Sequence, residues 1–438
     1  MDPVIWGIIG FVAVLFMMGL GIHVGVALGT TGIVGMYAMT HKVDFALALL
    51  TTTPYSTTNV YAFAILPLFI IMGLIAMHAG LSAGAFDAAY KWVGRLPGGM
   101  ALATTWANAV FAACTGSSVV SCAVFTRISL PEMSKRSYDP NFACGTIAAA
   151  GMLGMLIPPS ALMIIYGILT EQSIGKLLRP GSLLSLIFSS GIVAYGIRFP
   201  TRAPRSETAF SITEKLKATV GVSGIVIIVL GIIGGMYTGI FTPTEAGAAG
   251  AFGALVLALG MRRLGKSAFA SALREASQTT ALIFFILIGA MIFARFLVLT
   301  GLPGEFVDMV NALDVSPMLI VVLFLLMYVF LGMFQDSISM MSITLPIVHP
   351  IIVGLGIDPI YFAMLVIMAI EIGLITPPLG LNVYTVRSVA VQMPEGRDIT
   401  LEGIFAGILP FFFLSIFALI VLILVPSIST YIPSHLLG

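Results

Sequence analysis

The sequence predicts an all-α polytopic membrane protein of two inverted-topology repeats, each with a re-entrant helical hairpin and a helix broken at a Pro-Pro pair. Three observations lead there. Of the 438 residues, 59% are hydrophobic and only 9% charged, with a mean hydropathy of +1.10. A soluble domain carries about 25% charged residues, so this composition belongs to a chain that lives in a bilayer. The segment Gly-Leu-Ile-Thr-Pro-Pro-Leu-Gly-Leu-Asn (373–382) has a near twin, Gly-Met-Leu-Ile-Pro-Pro-Ser-Ala-Leu-Met (154–163), 219 positions upstream. Finally, basic loops in one half face non-basic loops in the other.

The 219-residue offset also aligns Asp139-Pro140 with Asp358-Pro359, Pro131 with Pro350, and Ser117-Ser118 with Asp336-Ser337. An ungapped match over roughly fifty residues implies two copies of one unit. Repeat 1 is assigned to residues 1–198, a polar linker to 199–216, and repeat 2 to 217–438. Apolar runs of spanning length fall at about 4–22, 24–40, 62–78, 141–170 and 182–198, and again at about 218–237, 244–261, 276–299, 360–388 and 403–426. The N-terminus lacks the basic flank and small-residue cleavage site of a signal peptide, so the first run is expected to stay as a helix. Longer apolar regions at about 99–127 and 317–350 are broken by polar tips at Thr115–Ser118 and Gln335–Ser337. Their arms are expected to be too short to span, which makes them re-entrant hairpins covered by protein or a water-filled cavity. Thr51–Asn59, rich in Thr and Ser, is expected along the membrane interface, and 199–216 as a plain tether.

Charge sets the orientation. Arg198, Arg202, Arg205, Lys215 and Lys217 place the linker in the cytoplasm, and Arg262, Arg263, Lys266 and Arg274 place the next basic loop there. Glu305, Asp308 and Asp314 lie one crossing later without Lys or Arg, which reads as outside. Their first-repeat counterpart carries Lys91 and Arg95, and Arg127, Lys135 and Arg136 follow hairpin 1, whereas the loop after hairpin 2 has no basic residue. Inversion predicts this swap, as does an odd number of crossings, five per repeat. The net charge of +1 gives no basis for nucleic-acid binding. Cys114, Cys122 and Cys144 lack zinc-like spacing and read as small buried hydrophobes.

Paired Pro/Gly-interrupted apolar segments in equivalent places point to a midplane binding site of a secondary transporter. In Thr115-Gly116-Ser117-Ser118, hydroxyls surround a glycine that lets the backbone turn; the competing reading is helix-packing Ser/Gly. Half-helix N-termini favour a carboxylate, and unwound carbonyls and hydroxyls suit a hard cation such as Na⁺. Prolines 158–159 and 377–378 remove donors and unwind a helix, freeing carbonyls near Leu156–Ile157 and Ile375–Thr376; a kink repaired by Ser160 or Thr376 is the alternative. Asp336 is an acid at apparent membrane depth, and either neutralises a cation or caps the following half-helix. Asn382 and Thr385 could face the same cavity. Arg295 either meets substrate or snorkels to the interface, Glu371 either pairs structurally or binds cation, and His23 and His349 read as interfacial or packed. No Walker A loop, His-Glu-x-x-His or Gly-x-Ser-x-Gly is formed, which leaves an intramembrane enzyme as a remote alternative.

At this point the motifs carry a resemblance. Residues 115–133 (Thr-Gly-Ser-Ser-Val-Val-Ser-Cys onward) resemble the first hairpin of the large membrane (M, DctM-type) subunit of TRAP, tripartite ATP-independent periplasmic, transporters. Gly-Met-Leu-Ile-Pro-Pro-Ser (154–160), Met-Phe-Gln-Asp-Ser (333–337), Ile-Thr-Leu-Pro-Ile (343–347) and Ile-Thr-Pro-Pro-Leu-Gly-Leu-Asn (375–382) are similar to its other signatures. The pattern covers nearly the whole chain and departs from the family's usual choices at Ser121-Cys122 and Gln335. The resemblance implies a bacterial inner-membrane importer subunit working with a periplasmic binding protein and a small four-helix membrane subunit, driven by Na⁺, carrying a small organic acid by an elevator motion. It implies one sodium site at Thr115, Gly116, Ser117, Ser118, Ile157, Pro158, Pro159 and Ser160. A second would lie at Gln335, Asp336, Ser337, Thr376, Pro377, Pro378 and Leu379, with substrate between them near Ser117, Ser118, Asn382, Thr385 and Arg295. The rival within this architecture is a self-sufficient carboxylate symporter or sodium/proton exchanger.

Overall fold

A computed structural model describes residues 2–178, 183–206, 208–312 and 315–427; Asp314, used above for orientation, lies outside them. Among the described residues all regular structure is helical. Repeat 1 opens with α1 (Pro3–Gly19), α2 (Val24–Thr40), α3 (Val43–Thr58), a short 3₁₀ turn (Tyr61–Ala64) running into α4 (Ile65–His78), and α5 (Leu81–Val93). Hairpin 1 follows as α6 (Gly99–Thr115) and α7 (Ser118–Ser134). The first broken helix is α8 (Pro140–Gly151), α9 (Leu153–Leu156) and α10 (Ala161–Thr170), then α11 (Ile174–Leu177) and α12 (Leu183–Arg198). The second half holds α13 (Ile212–Tyr237), α14 (Pro243–Gly260), α15 (Lys266–Thr300) and α16 (Leu302–Ala312). Hairpin 2 is α17 (Pro317–Gly332) and α18 (Ser337–Gly354), followed by α19 (Pro359–Gly373), α20 (Leu381–Ala390) and α21 (Leu401–Leu424).

A shift of 219 lays α2 on α14, α5 on α16, α6 on α17, α7 on α18, α8 on α19 and α10 on α20, with starts agreeing within two residues. The same local chemistry sets both copies. Asp139 and Asp358 each cap a helix that begins with proline, accepting from Phe142 N and from Ile360 N and Tyr361 N. That proline occupies a position whose N–H has no helical partner. One difference stands out: α3, the 3₁₀ turn and α4 together match a single 35-residue helix, α15. The halves then interlock: α2 packs on α15 and α14 on α4, while α10 packs on α18 and α20 on α7.

Among the described residues six helices, Tyr61–His78, α13, α14, α15, α18 and α21, are long and apolar enough to cross a bilayer, and the bent pair Pro140–Leu156 with Ala161–Thr170 makes a seventh. Large apolar side chains on α1, α13, α14, α15 and α21, such as Phe16, Val220, Phe252, Val298 and Phe413, point outward, as lipid-facing residues must.

Four expectations need correction. The arms of hairpin 2 are not both too short to span, because α18 is 18 residues long and apolar on average; its in-line Pro346 and Pro350 do not end it. Arg127 is not in a loop but within α7, which runs on through Pro131 to Ser134. Thr51–Asn59 does not stand apart from the run before it: all but Asn59 form the C-terminal half of α3, with Thr53 and Thr57 buried. Linker 199–216 is not a plain tether. Gly98 N donates to Ala203 O (3.3 Å), Asp139 N to Arg202 O (3.0 Å) and Ser206 N to Gly94 O (3.0 Å). Tyr138 Oη adds a bond to Pro204 O at 2.7 Å, so the strap is stitched to the base of hairpin 1, and a capping box at Ser211 then starts α13. Isolated Pro and Arg residues reveal polarity, not the carbonyls they present to neighbouring loops.

Candidate functional site

The tip of hairpin 1 is seated against the first Pro-Pro break. Gly116 turns the chain between α6 and α7 at φ +56°, a conformation glycine adopts without strain. A Cβ there would stand 3.1 Å from both Pro159 O and Ala161 N, so any larger side chain would push tip and break apart. Gly154, one turn before the prolines, makes the reciprocal contact: its Cβ would meet Ser117 O at 3.0 Å. On the other side α4 closes in, since a Cβ on Gly73 would meet Cys114 O at 2.6 Å. Backbone approaches backbone because small residues line the meeting faces.

Two helix N-termini converge here. Ser117 caps α7, its Oγ accepting from Val120 N at 3.4 Å; Ser160 caps α10, accepting from Met163 N at 3.5 Å. Pro158, Pro159 and Ser160 are buried, and Ile157 is extended (φ −92°, ψ 122°). Both Pro-Pro bonds, 158–159 and 377–378, are cis. Thr115 Oγ1 lies 3.4 Å from Ser121 Oγ. A cavity of about 130 Å³ opens between Thr115, Gly116, Ser117, Ala161, Thr279 and Ile338. It brings hairpin 1, the first break, α15 and hairpin 2 to one place. Among the described residues no cluster of His, Cys, Asp and Glu suited to a transition metal occurs; the donors gathered here are hydroxyls, carbonyls and helix ends.

The second half is built differently. Asp336 caps α18, accepting from Ile338 N (3.1 Å) and Ser339 N (3.0 Å), so the capping alternative holds. Its carboxylate is also exposed. Gln335 keeps Oε1 buried without a hydrogen bond, and Ser337 is buried. Thr376 Oγ1 donates to Ile372 O at 2.6 Å, repairing the end of α19, while Pro377, Pro378 and Leu379 are exposed. Hairpin 2 meets this region through Gly332 and Gly373, where a Cβ on Gly373 would lie 2.7 Å from Gly332 Cα.

Asn382 bridges its own break, its N donating to Leu374 O at 3.1 Å, and its side chain is carried towards the first tip. Its side chain is fully buried, with Nδ2 and Oδ1 both unpaired, and a Cβ on Gly151 would lie 3.7 Å from Nδ2. Thr385 is half-buried and donates back to Leu381 O at 2.8 Å. Arg295 belongs elsewhere: its Nη1 donates to Thr53 Oγ1 at 2.9 Å. It lines a separate cavity of about 380 Å³ with Ser56, Thr57, Glu171 and Gln172. Sequence reasoning left out Gly73, Thr279 and the link from Ser118 to Glu371 (3.5 Å). No spacing rule reaches these, because each comes from a different helix.

The sequence profile described as the DctM component of the tripartite ATP-independent periplasmic transporter matches residues 11–428. The chain belongs to the TRAP large-permease family. It is 33% identical over 388 residues to the C4-dicarboxylate TRAP transporter large permease protein DctM of Pseudomonas aeruginosa, covering 87% of this chain and 88% of that one. It is 30% identical to the 2,3-diketo-L-gulonate TRAP transporter large permease protein YiaN of Escherichia coli, over 95% of this chain and 98% of that one. A crystal structure of the Alcanivorax borkumensis YdaH transporter, described as having an unusual topology, shares the fold. Its TM-score is 0.62 at 15% identity, over 87% of this chain and 88% of the other. This TRAP permease is therefore a multi-pass bacterial membrane transport subunit, not an enzyme.

Proposed function

We propose that this permease imports a small organic acid, delivered by a periplasmic binding protein, and couples uptake to the inward flow of Na⁺ across the inner membrane. The observation that carries the reading is the contact of the first hairpin tip with the first Pro-Pro break. It sets two helix N-termini, at Ser118 and Ala161, beside the C-terminal ends of α6 and α9. N-terminal N–H groups favour a carboxylate, and C-terminal carbonyls with the Thr115 and Ser117 hydroxyls favour Na⁺. In this account Thr115–Ser118 and Ile157–Ser160 hold one Na⁺. Gln335–Ser337 and Thr376–Leu379 hold a second, with the negative charge of Asp336 next to it. The substrate carboxylate lies against Ser117 and Ser118, within reach of Asn382; the arginine cavity at Arg295 and the half-buried Thr385 lie further along the path. The two relatives carry a C4-dicarboxylate and a diketogulonate by name, both acids, which supports a carboxylate cargo.

The repeats are read as inverted, with the linker 199–216 on the cytoplasmic side, and the hairpins with the broken helices as a body that slides, elevator-fashion, against the outer helices. A small four-helix membrane subunit braces those outer helices, and lipid covers the rest. The test is uptake of labelled acids into proteoliposomes as a function of the Na⁺ gradient. Sodium-independent uptake overturns the coupling.

A further inference from the structure

Directly behind the first tip lies a polar cluster whose acid, Glu371, neither proposed ion site uses. Glu371, on α19, is fully buried. Its Oε1 lies 3.5 Å from Ser118 Oγ, and its Oε2 has no hydrogen-bond partner. It takes part in none of the ion pairs found among the described residues. Asn382, from α20, is also fully buried and has both side-chain polar atoms unpaired. Gly151 lies between Ser118 and Asn382. A Cβ on it would stand 3.1 Å from Ser118 O, 2.3 Å from Cys122 Sγ and 3.7 Å from Asn382 Nδ2. Asn382 is tied back to the same helix as Glu371, its N donating to Leu374 O at 3.1 Å. Four helix segments, α7, α8, α19 and α20, thus converge on one small polar spot deep in the protein.

A buried carboxylate without a counter-charge, beside an amide with nothing to bond, is costly in any low-dielectric interior and especially so in a membrane protein. The geometry points to a monovalent-cation site formed by the Glu371 carboxylate, Ser118 Oγ and Asn382 Oδ1, additional to the two at the hairpin tips and bordering the first through Ser118. Three features argue for it. The three ligands assigned are oxygens, which is what a hard cation selects. The Ser118–Glu371 separation is long for a hydroxyl-to-carboxylate bond, whose usual length is about 2.5–2.7 Å. It does match two neighbouring ligands of one ion: oxygens held at about 2.4 Å in an octahedral shell sit about 3.4 Å apart. Ion and carboxylate together are neutral, so one cation removes the isolated charge and gives Asn382 Oδ1 a partner. The bland alternative, a direct Glu371–Asn382 hydrogen bond, is absent, since both Asn382 atoms are unpaired.

The cluster also joins the two halves. Ser118 opens the second arm of hairpin 1, whereas Glu371 and Asn382 flank the second Pro-Pro break. An ion held here ties the first tip to the second broken helix, so that both half-sites carry their cargo as one body. The inference rests on the sodium-coupled reading above, and its test keeps the two apart.

The experiment is equilibrium binding of ²²Na⁺ to the full chain in lipid nanodiscs, alongside melting temperature in NaCl and in KCl. Wild type is expected to bind three Na⁺ per chain and Glu371→Gln two, with the Na⁺-dependent rise in melting temperature reduced. Asn382→Ala should weaken one class of Na⁺ binding by about tenfold. Glu371→Asp should restore part of it. In KCl, Glu371→Gln should melt no lower than wild type, which shows that the variant folds. Unchanged Na⁺ stoichiometry and affinity in Glu371→Gln overturn this site while leaving the tip sites standing. The same result combined with loss of pH-dependent melting would make Glu371 a proton carrier, and overturns it as well. Absence of any Na⁺ binding by wild type overturns the sodium-coupled reading itself.

Discussion

Replacing Gly116 by alanine separates backbone conformation from packing at the first hairpin tip. Gly116 sits at φ +56°, where an L-residue costs about 1–2 kcal/mol. Its new Cβ would also stand 3.1 Å from Pro159 O and Ala161 N, closer than the optimum of about 3.5–4.0 Å for carbon contacts, so the tip and the break must part by a few tenths of an ångström. Gly80 is a matched control: its φ is +66°, and a Cβ on it meets nothing within 4 Å. Gly80→Ala should therefore lose about 1–2 kcal/mol of stability and leave transport alone. Gly116→Ala should lose at least as much and, in addition, weaken Na⁺ binding by about tenfold, which corresponds to about 1.4 kcal/mol. Thermal melting measured across a Na⁺ titration, together with initial uptake rates at several Na⁺ concentrations, reads both quantities. If Gly116→Ala is destabilised like Gly80→Ala but keeps wild-type Na⁺ dependence, the tip-to-break contact is not part of an ion site and the reasoning fails.

Other variants probe the remaining parts. Asp336→Asn keeps an acceptor for Ile338 N and Ser339 N, so stability should change by less than about 1 kcal/mol while Na⁺ dependence weakens; an unaltered Na⁺ response would remove Asp336 from the ion path. Changing Pro377 and Pro378 together to alanine should lower uptake without preventing insertion, because both are exposed and the membrane helices on either side remain. Full transport in purified, reconstituted protein would contradict that. Tyr138→Phe removes the bond to Pro204 O and the acceptor for Met100 N (3.1 Å), and should cost about 1–3 kcal/mol. Limited proteolysis should then cut the 199–206 strap faster than in wild type, and an unchanged rate would return the strap to a passive connection.

Much of the fold was legible because membrane helices announce themselves by length and because duplication repeats every signal. The Asp-Pro starts at 139–140 and 358–359, the polar tips and the Pro-Pro pairs all recur at one offset, and the helices begin where these signals sit. What stayed hidden depends on partners from distant segments. Asn382 reads as a neighbour of Pro378 by spacing, yet the exchange of α20 onto α7 carries it to the first tip. Glu371 looked like an undecided acid until Ser118 was found beside it. The difference in burial between prolines 158–159 and 377–378 follows from what covers each break, which two nearly identical sequences do not encode locally. Length also misled at hairpin 2, where an 18-residue arm is held back from being a simple span only by its pairing with α17 across the Gln335–Asp336 tip.

The most direct test of the account is uptake of a panel of labelled organic acids into proteoliposomes holding this chain with its small membrane subunit. The Na⁺ gradient and the purified binding protein are each supplied or withheld. The account predicts uptake of a carboxylate only when both are supplied. Uptake without the binding protein would instead make the chain a self-sufficient transporter, and uptake without Na⁺ would contradict the coupling on which the site assignment stands.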